Sequence, residues 1–107
     1  MKPPANAVLW NFSLHRTGDT MIKKEFTITT SHGPLSKVEI KSTTGVVLFT
    51  TEGDDPTIEI TDAASGAWNI KEHLYEGPAK IYEYEARFTF TNGFVQTYMY
   101  GTLEIVA

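Results

Sequence analysis

The sequence contains no cysteine among its 107 residues. Disulfide bonds, thiolate nucleophiles and zinc sites built on cysteine are therefore excluded. Positive charge is also sparse, because 9 Lys and Arg residues face 13 Asp and Glu residues and the formal net charge is −4. Nucleic acids and anionic membrane surfaces bind clustered basic side chains, which this sequence lacks, so we expect neither as a partner.

Long apolar runs are missing as well. No stretch approaches the ~20 apolar residues that a membrane-spanning helix needs. The N-terminal sequence Met-Lys-Pro-Pro-Ala-Asn-Ala lacks the apolar segment of a secretory signal. We therefore expect the chain to be made in a cytoplasm and not to be exported through a signal peptide.

Motifs that carry catalysis are not found either. The nucleophile motif G-x-S-x-G, the Walker A loop and the dinucleotide motif G-x-G-x-x-G do not occur. A metal-dependent hydrolase would need three predicted loops to converge on one another, those of His15, His32 and His73. The acidic residues lack the spacing of a calcium-binding loop: Glu52, Asp54, Asp55 and Asp62. The sequence therefore predicts a protein that is not an enzyme, with no catalytic, metal-binding or cofactor-binding residue.

Short runs of alternating apolar and polar residues dominate what is present. The clearest runs are residues 80–91 and 94–106, which flank Asn-Gly at residues 92–93. Asn-Gly between alternating runs predicts a hairpin closed by a two-residue type I′ turn. That register gives one apolar face and one mixed polar face, which has Arg87 opposite Tyr98. The predicted pairs include Phe90/Val95, Phe88/Thr97, Ala86/Met99, Glu85/Tyr100, Tyr84/Gly101, Glu83/Thr102 and Tyr82/Leu103.

The remaining sequence indicates further short strands between turns. Alternation predicts a half-buried strand over residues 7–14 and a strand over residues 21–30 with Ile22, Phe26 and Ile28 facing inward. Residues 68–75 fit either a strand or a single helical turn. Several short strands with turns every 8–12 residues predict an all-β fold, an immunoglobulin-like antiparallel β-sandwich of seven or eight strands. We expect one domain over residues 1–107, with an extended arm at residues 1–5. The predicted core is Trp10, Phe12, Phe26, Ile28, Val38, Ile40, Ile58, Trp68, Tyr82, Tyr84, Phe88, Phe90, Met99 and Leu103.

Two groups of residues are candidates for an interface. The run Val46, Val47, Leu48 and Phe49 lacks alternation, so it is either covered on both faces or part of a protein contact. The second group is aromatic and lies on the outer hairpin face beside Arg87: Phe94, Tyr98 and Tyr100. Exposed tyrosines bind proteins, or stack on sugars in a carbohydrate-binding module. Alternatively, they pack across the strands, with Arg87 over Tyr98 as a cation–π pair.

The last third of the chain resembles a known family. It has Glu-Gly at residues 76–77, Tyr-Glu-Tyr-Glu at 82–85 and Asn-Gly at 92–93, followed by a strand at 96–105 that contains Gly-Thr. This pattern is similar to that of immunoglobulin-like β-sandwich domains in the tail, baseplate and other virion proteins of tailed phages. The resemblance covers about 30 residues, and its motifs fix a fold and carry no chemistry. It departs from the family in the four residues between Gly77 and Tyr82 and in Glu85, where Asp is usual.

The resemblance implies a non-enzymatic virion structural or assembly protein of bacteriophage type. We would then expect the chain to form an oligomer, to bind itself or other virion proteins, and to be made in the host cytoplasm. The alternative from the residues alone is a carbohydrate-binding module that uses the hairpin aromatics.

Overall fold

The computed structural model describes residues 7–107, and the predicted arm at residues 1–5 lies outside them. These residues form strands, turns and bends and contain no helix, so the fold is all-β as expected. Seven strands have four or more residues and four have two. In chain order they are β1 (Val8–Leu9), β2 (His15–Arg16), β3 (Thr20–Met21), β4 (Lys24–Thr27), β5 (Leu35–Ser42), β6 (Val47–Thr50), β7 (Ile58–Asp62), β8 (Ala67–Ile70), β9 (His73–Leu74), β10 (Lys80–Phe90) and β11 (Val95–Val106).

The strands form three sheets. The largest has the order β1-β11-β10-β5-β6, with β2 also paired to β11; the second has the order β4-β8-β7, and β3 pairs with β9. Trp68 of β8 meets Phe88 of β10 edge to face, with ring centroids 5.5 Å apart. The two larger sheets therefore share one apolar core, an arrangement consistent with a β-sandwich. The pairing is antiparallel except where β1 and β2 run parallel to β11.

The turn of the long hairpin differs from the prediction because its loop contains three residues and not two. The Phe90 N–H donates to the Phe94 carbonyl at 2.9 Å, and the Gly93 N–H donates to the Phe90 carbonyl at 2.8 Å. Gly93 has φ 88°, a left-handed conformation that a residue without a Cβ adopts without strain. The predicted two-residue turn is therefore wrong, and a three-residue loop with glycine in its left-handed position takes its place.

A bulge at Tyr98 compensates for the extra loop residue. Arg87 lies opposite Thr97 and not Tyr98, while Ala86 lies opposite Met99 as predicted. One residue of β11, Tyr98, is thus left without a partner on β10, and the predicted register returns beyond it. The pairs found as predicted are Ala86/Met99, Glu85/Tyr100, Tyr84/Gly101, Glu83/Thr102 and Tyr82/Leu103.

The N-terminal segment is an edge of the largest sheet and also closes the core. The prediction of one half-buried strand over residues 7–14 holds only in part, because Val8 and Leu14 are exposed. The Trp10 carbonyl lies over Gly101, where a Cβ atom would collide with it, and accepts a hydrogen bond from the buried hydroxyl of Tyr84. Gly101 therefore makes room for the crossing chain.

The core contains most of the predicted residues. Eleven of them are buried, while Trp10, Phe26 and Ile28 pack against the core from partly exposed positions. Ile22 was expected to face inward, but it is exposed and its neighbour Met21 is buried. Residues 68–75 contain β8 and β9, so the strand alternative is correct there. The buried core residues that were not predicted are Met21, Leu35, Phe49, Ile70, Ala86 and Ile105.

Candidate interaction surfaces

The first candidate surface is β6, at the edge of the largest sheet. Phe49 lies opposite Ile40 on β5 and Val47 opposite Lys41, so Leu48 is an extra residue in the edge strand. Such a bulge breaks the alternation of a strand. Val46 and Val47 are 44% and 48% exposed, Leu48 is half-buried, and Phe49 is fully buried. The missing alternation is thus explained by the bulge, and Phe49 belongs to the core and not to an exposed interface.

The C-terminal end of β6 is already hydrogen-bonded to a later segment of the same chain. The Thr57 N–H donates to the Thr50 carbonyl at 3.1 Å, and the Thr50 N–H donates to Thr57 Oγ1 at 3.0 Å. Residues 46–48 are left as the accessible part of this edge. A partner would therefore contact mainly the side chains of Val46 and Val47, since the edge offers too few backbone groups for a long added strand.

The hairpin aromatics do not share one face. Tyr98, displaced by the bulge, packs against Phe88 and Phe90 with ring centroids 5.8 and 6.3 Å away. Tyr100 lies on the outer face opposite Glu85. The prediction of a single outer aromatic group is therefore wrong for Tyr98, and a sugar ring would find no shared platform there.

Phe94 has a different environment at the end of the hairpin. Its ring stacks on that of His32, with centroids 3.8 Å apart and an interplanar angle of 17°. The stack holds residues 31–34, which include Gly33, against the hairpin loop. Phe94 is 38% exposed and remains available to a partner.

Arg87 lies on the outer face but not over Tyr98. It faces Thr97 on β11 and Glu39 on β5, while Glu85 faces Lys41. Residues of opposite charge are therefore neighbours in register on the two strands, an arrangement that stabilises a sheet modestly. A cation–π contact does occur on this hairpin, where the Lys80 ammonium lies 5.3 Å from the ring centroid of Tyr82.

An apolar groove opens between β1 of the largest sheet and β4 of the second sheet. Its volume is about 360 Å³, and Trp10 and Phe26 meet in it edge to face with centroids 5.0 Å apart. The sequence did not predict this groove, because Tyr98, which lines it, was expected on the outer face and instead turns inward. Its lining residues are Val8, Trp10, Phe26, Thr27, Ile28, Thr29, Tyr98 and Met99.

The three histidines do not converge. His15 and His73 both lie beside Tyr75, with ring centroids 5.8 and 6.4 Å away, whereas His32 lies beside Phe94. Within residues 7–107 no group of three His, Cys, Asp or Glu side chains is placed to hold a metal ion. Burial raises the pKa of Tyr75, and the neighbouring Tyr82 raises it further. The hydrolase hypothesis thus lacks the convergence that it requires.

Comparison with models of known protein families gives no match for this chain, and comparison with curated proteins gives no significant match. In the described part of the chain no helix is long and apolar enough to cross a membrane.

Proposed function

We propose that this chain is a non-enzymatic structural or assembly module of a tailed-phage virion, with an immunoglobulin-like fold, which acts through protein–protein contacts. The strand order supports the fold assignment. In immunoglobulin domains strands C′, C, F and G are neighbours in one sheet and strands B, E and D in the other. The order β6-β5-β10-β11 and the order β4-β8-β7 follow these two series.

The residues that carry the family resemblance also support this assignment. Tyr84 is fully buried and donates to the Trp10 carbonyl, and Gly101 leaves space for the same carbonyl. These are contacts that fix how the N-terminal segment crosses the sheet. These positions fix the fold, so the resemblance supports the fold assignment and not the function. A role in assembly requires in addition a surface that can contact another protein.

The observation that carries the functional part is the uncharged edge of β6. Residues 43–51 contain no charged side chain, although Val46 and Val47 are about half exposed. The edge strands of the second sheet, by contrast, carry Lys24 and Glu25 on β4 and Glu59 on β7. Charges on edge strands oppose association between sheets, and an edge without them favours it. We therefore expect residues 46–48 to contact a second copy or another virion protein.

The test is the native mass of the purified chain, measured by light scattering over a concentration series. We expect a mass that rises to a defined oligomer, and we expect Val47→Lys to restore the monomer because it places a charge on the edge. Ile22→Lys is the matched control, since Ile22 is also exposed but lies outside the sheet that contains β6. A monomer at all concentrations, or equal loss of association in both variants, would contradict self-association through this edge.

The virion assignment has a separate test. Mass spectrometry of purified phage particles from a genome that encodes this chain should detect it in stoichiometric amounts. Its presence only in the lysate and not in the particles would contradict a virion role. This result would leave the measured oligomeric state unaffected, so the two parts of the proposal fail independently.

A further inference from the structure

The hairpin loop exposes an Asn-Gly pair, Asn92 and Gly93, to water and holds the Asn92 side chain in place. Residues 91–95 are all exposed, so water reaches both Asn92 and Gly93. The Phe94 N–H donates to Asn92 Oδ1 at 2.9 Å. This hydrogen bond polarises the side-chain carbonyl of Asn92, which makes its Cγ atom more electrophilic, and holds the side chain beside the main chain that follows.

The adjacent nucleophile is the backbone nitrogen of Gly93. Glycine has no side chain to hinder ring closure, and apart from its two chain neighbours no residue has an atom within 4 Å of the position where a Cβ atom at Gly93 would lie. The Gly93 N–H donates to the Phe90 carbonyl at 2.8 Å, so this hydrogen bond must open first. It lies at the exposed end of a hairpin, where local opening costs least.

We propose that Asn92 is a site of spontaneous deamidation in the folded protein. The Gly93 nitrogen attacks Asn92 Cγ and loses its proton, a C–N bond forms, and the side-chain nitrogen leaves as ammonia. Water then opens the resulting succinimide at either carbonyl, which gives aspartate or isoaspartate. No oxidant or metal is needed, and water is the co-reactant.

The other described asparagines are held in ways that oppose this reaction. The nitrogen that would attack Asn11 belongs to Phe12, which is buried and whose N–H donates to the Thr102 carbonyl at 2.9 Å. Asn69 is 2% exposed within β8, and the β-branched Ile70 follows it. The reaction should therefore select Asn92.

The two products should have different effects on the hairpin. Aspartate keeps an oxygen that can accept from the Phe94 N–H, whereas isoaspartate adds a methylene to the main chain of the loop. We expect isoaspartate to disturb the stack of Phe94 on His32, whose ring centroids are 3.8 Å apart. Asn92→Asp isolates the first effect, because it introduces the charge without the longer backbone.

The experiment is incubation of the folded chain at mildly alkaline pH, followed by tryptic digestion and tandem mass spectrometry. The peptide over residues 88–107 reports Asn92 and the peptide over 42–71 reports Asn69, while fragment ions of the peptide over 1–16 separate Asn11 from Asn6. We expect loss of the asparagine form at Asn92 first, with both products present, and no such product in Asn92→Gln. A parallel sample unfolded in guanidinium measures the reaction without the fold. Conversion of Asn92 in that sample alone, or earlier conversion of Asn11 or Asn69 in the folded chain, would overturn the proposal.

Discussion

Replacing Phe88 by alanine tests whether the two larger sheets share one core. Phe88 is fully buried in β10, between Gln96 of β11 and Val38 of β5. Its ring contacts Trp68 in the second sheet at 5.5 Å between centroids. Truncating a buried phenylalanine removes apolar burial and leaves a cavity, which together cost about 3–5 kcal/mol. A domain of this size has a total stability of about 5–15 kcal/mol, so the loss is a large fraction of it.

The assay is urea denaturation followed by tryptophan fluorescence. A loss of about 4 kcal/mol divided by an m value of about 2 kcal/mol/M lowers the midpoint by about 2 M, with m unchanged. The thermal midpoint should fall by about 10–20 °C.

Phe94→Ala is the matched control, because the same atoms are removed from an exposed position. It loses mainly the stack on His32, and such an aromatic contact is worth about 0.5–1.5 kcal/mol. Equal midpoint shifts in the two variants would refute the assignment of Phe88 to a shared core.

Three further changes test the contacts around the crossing chain and the β5–β6 turn, each by urea denaturation. Gly101→Ala should destabilise by about 1–3 kcal/mol, because its Cβ atom would collide with the Trp10 carbonyl. Burial holds the pKa of Tyr84 above its usual range. Above a pH of about 10 the unfolded chain loses the phenol proton while the folded protein keeps it, so the free energy of unfolding should fall as the pH rises. Tyr84→Phe should reduce that fall while costing about 1–3 kcal/mol at neutral pH, and an unchanged alkaline slope would contradict the assignment. Ser42→Ala should cost about 1–3 kcal/mol, because the Val46 N–H loses its acceptor at 2.9 Å; a variant as stable as the parent would show that water replaces the hydroxyl.

The hairpin shows how far a sequence pattern determines register. Asn-Gly is compatible with a two-residue loop and also with a three-residue loop that ends in a left-handed glycine. The choice depends on whether the strand can absorb one extra residue, which here occurs at Tyr98. That bulge is stabilised by the packing of Tyr98 on Phe88 and Phe90, a tertiary contact that alternation alone does not reveal.

Ile22 was predicted to face inward, whereas Met21 is the buried residue, and the cause is again a limit of the sequence pattern. Both residues are apolar, so the pattern gives no basis for choosing which one faces inward. β3 pairs with β9 over two residues only, and a strand this short carries little information on its own phase. The longer β5 and β10 were easier to predict, since a shift by one residue would turn a whole row of apolar side chains outward.

The candidate interface depends on the bulges more than on apolar content. In β6 the extra residue Leu48 lets Phe49 enter the core while Val46 and Val47 remain exposed. In β11 the extra residue Tyr98 turns inward and becomes part of the groove. One bulge thus leaves apolar side chains at a sheet edge, and the other withdraws an aromatic ring from the outer face. The outer face keeps Arg87 beside Glu39 and Thr97, so the β6 edge is a better candidate for protein contacts than that face, and the insertion of one residue leaves its valines exposed.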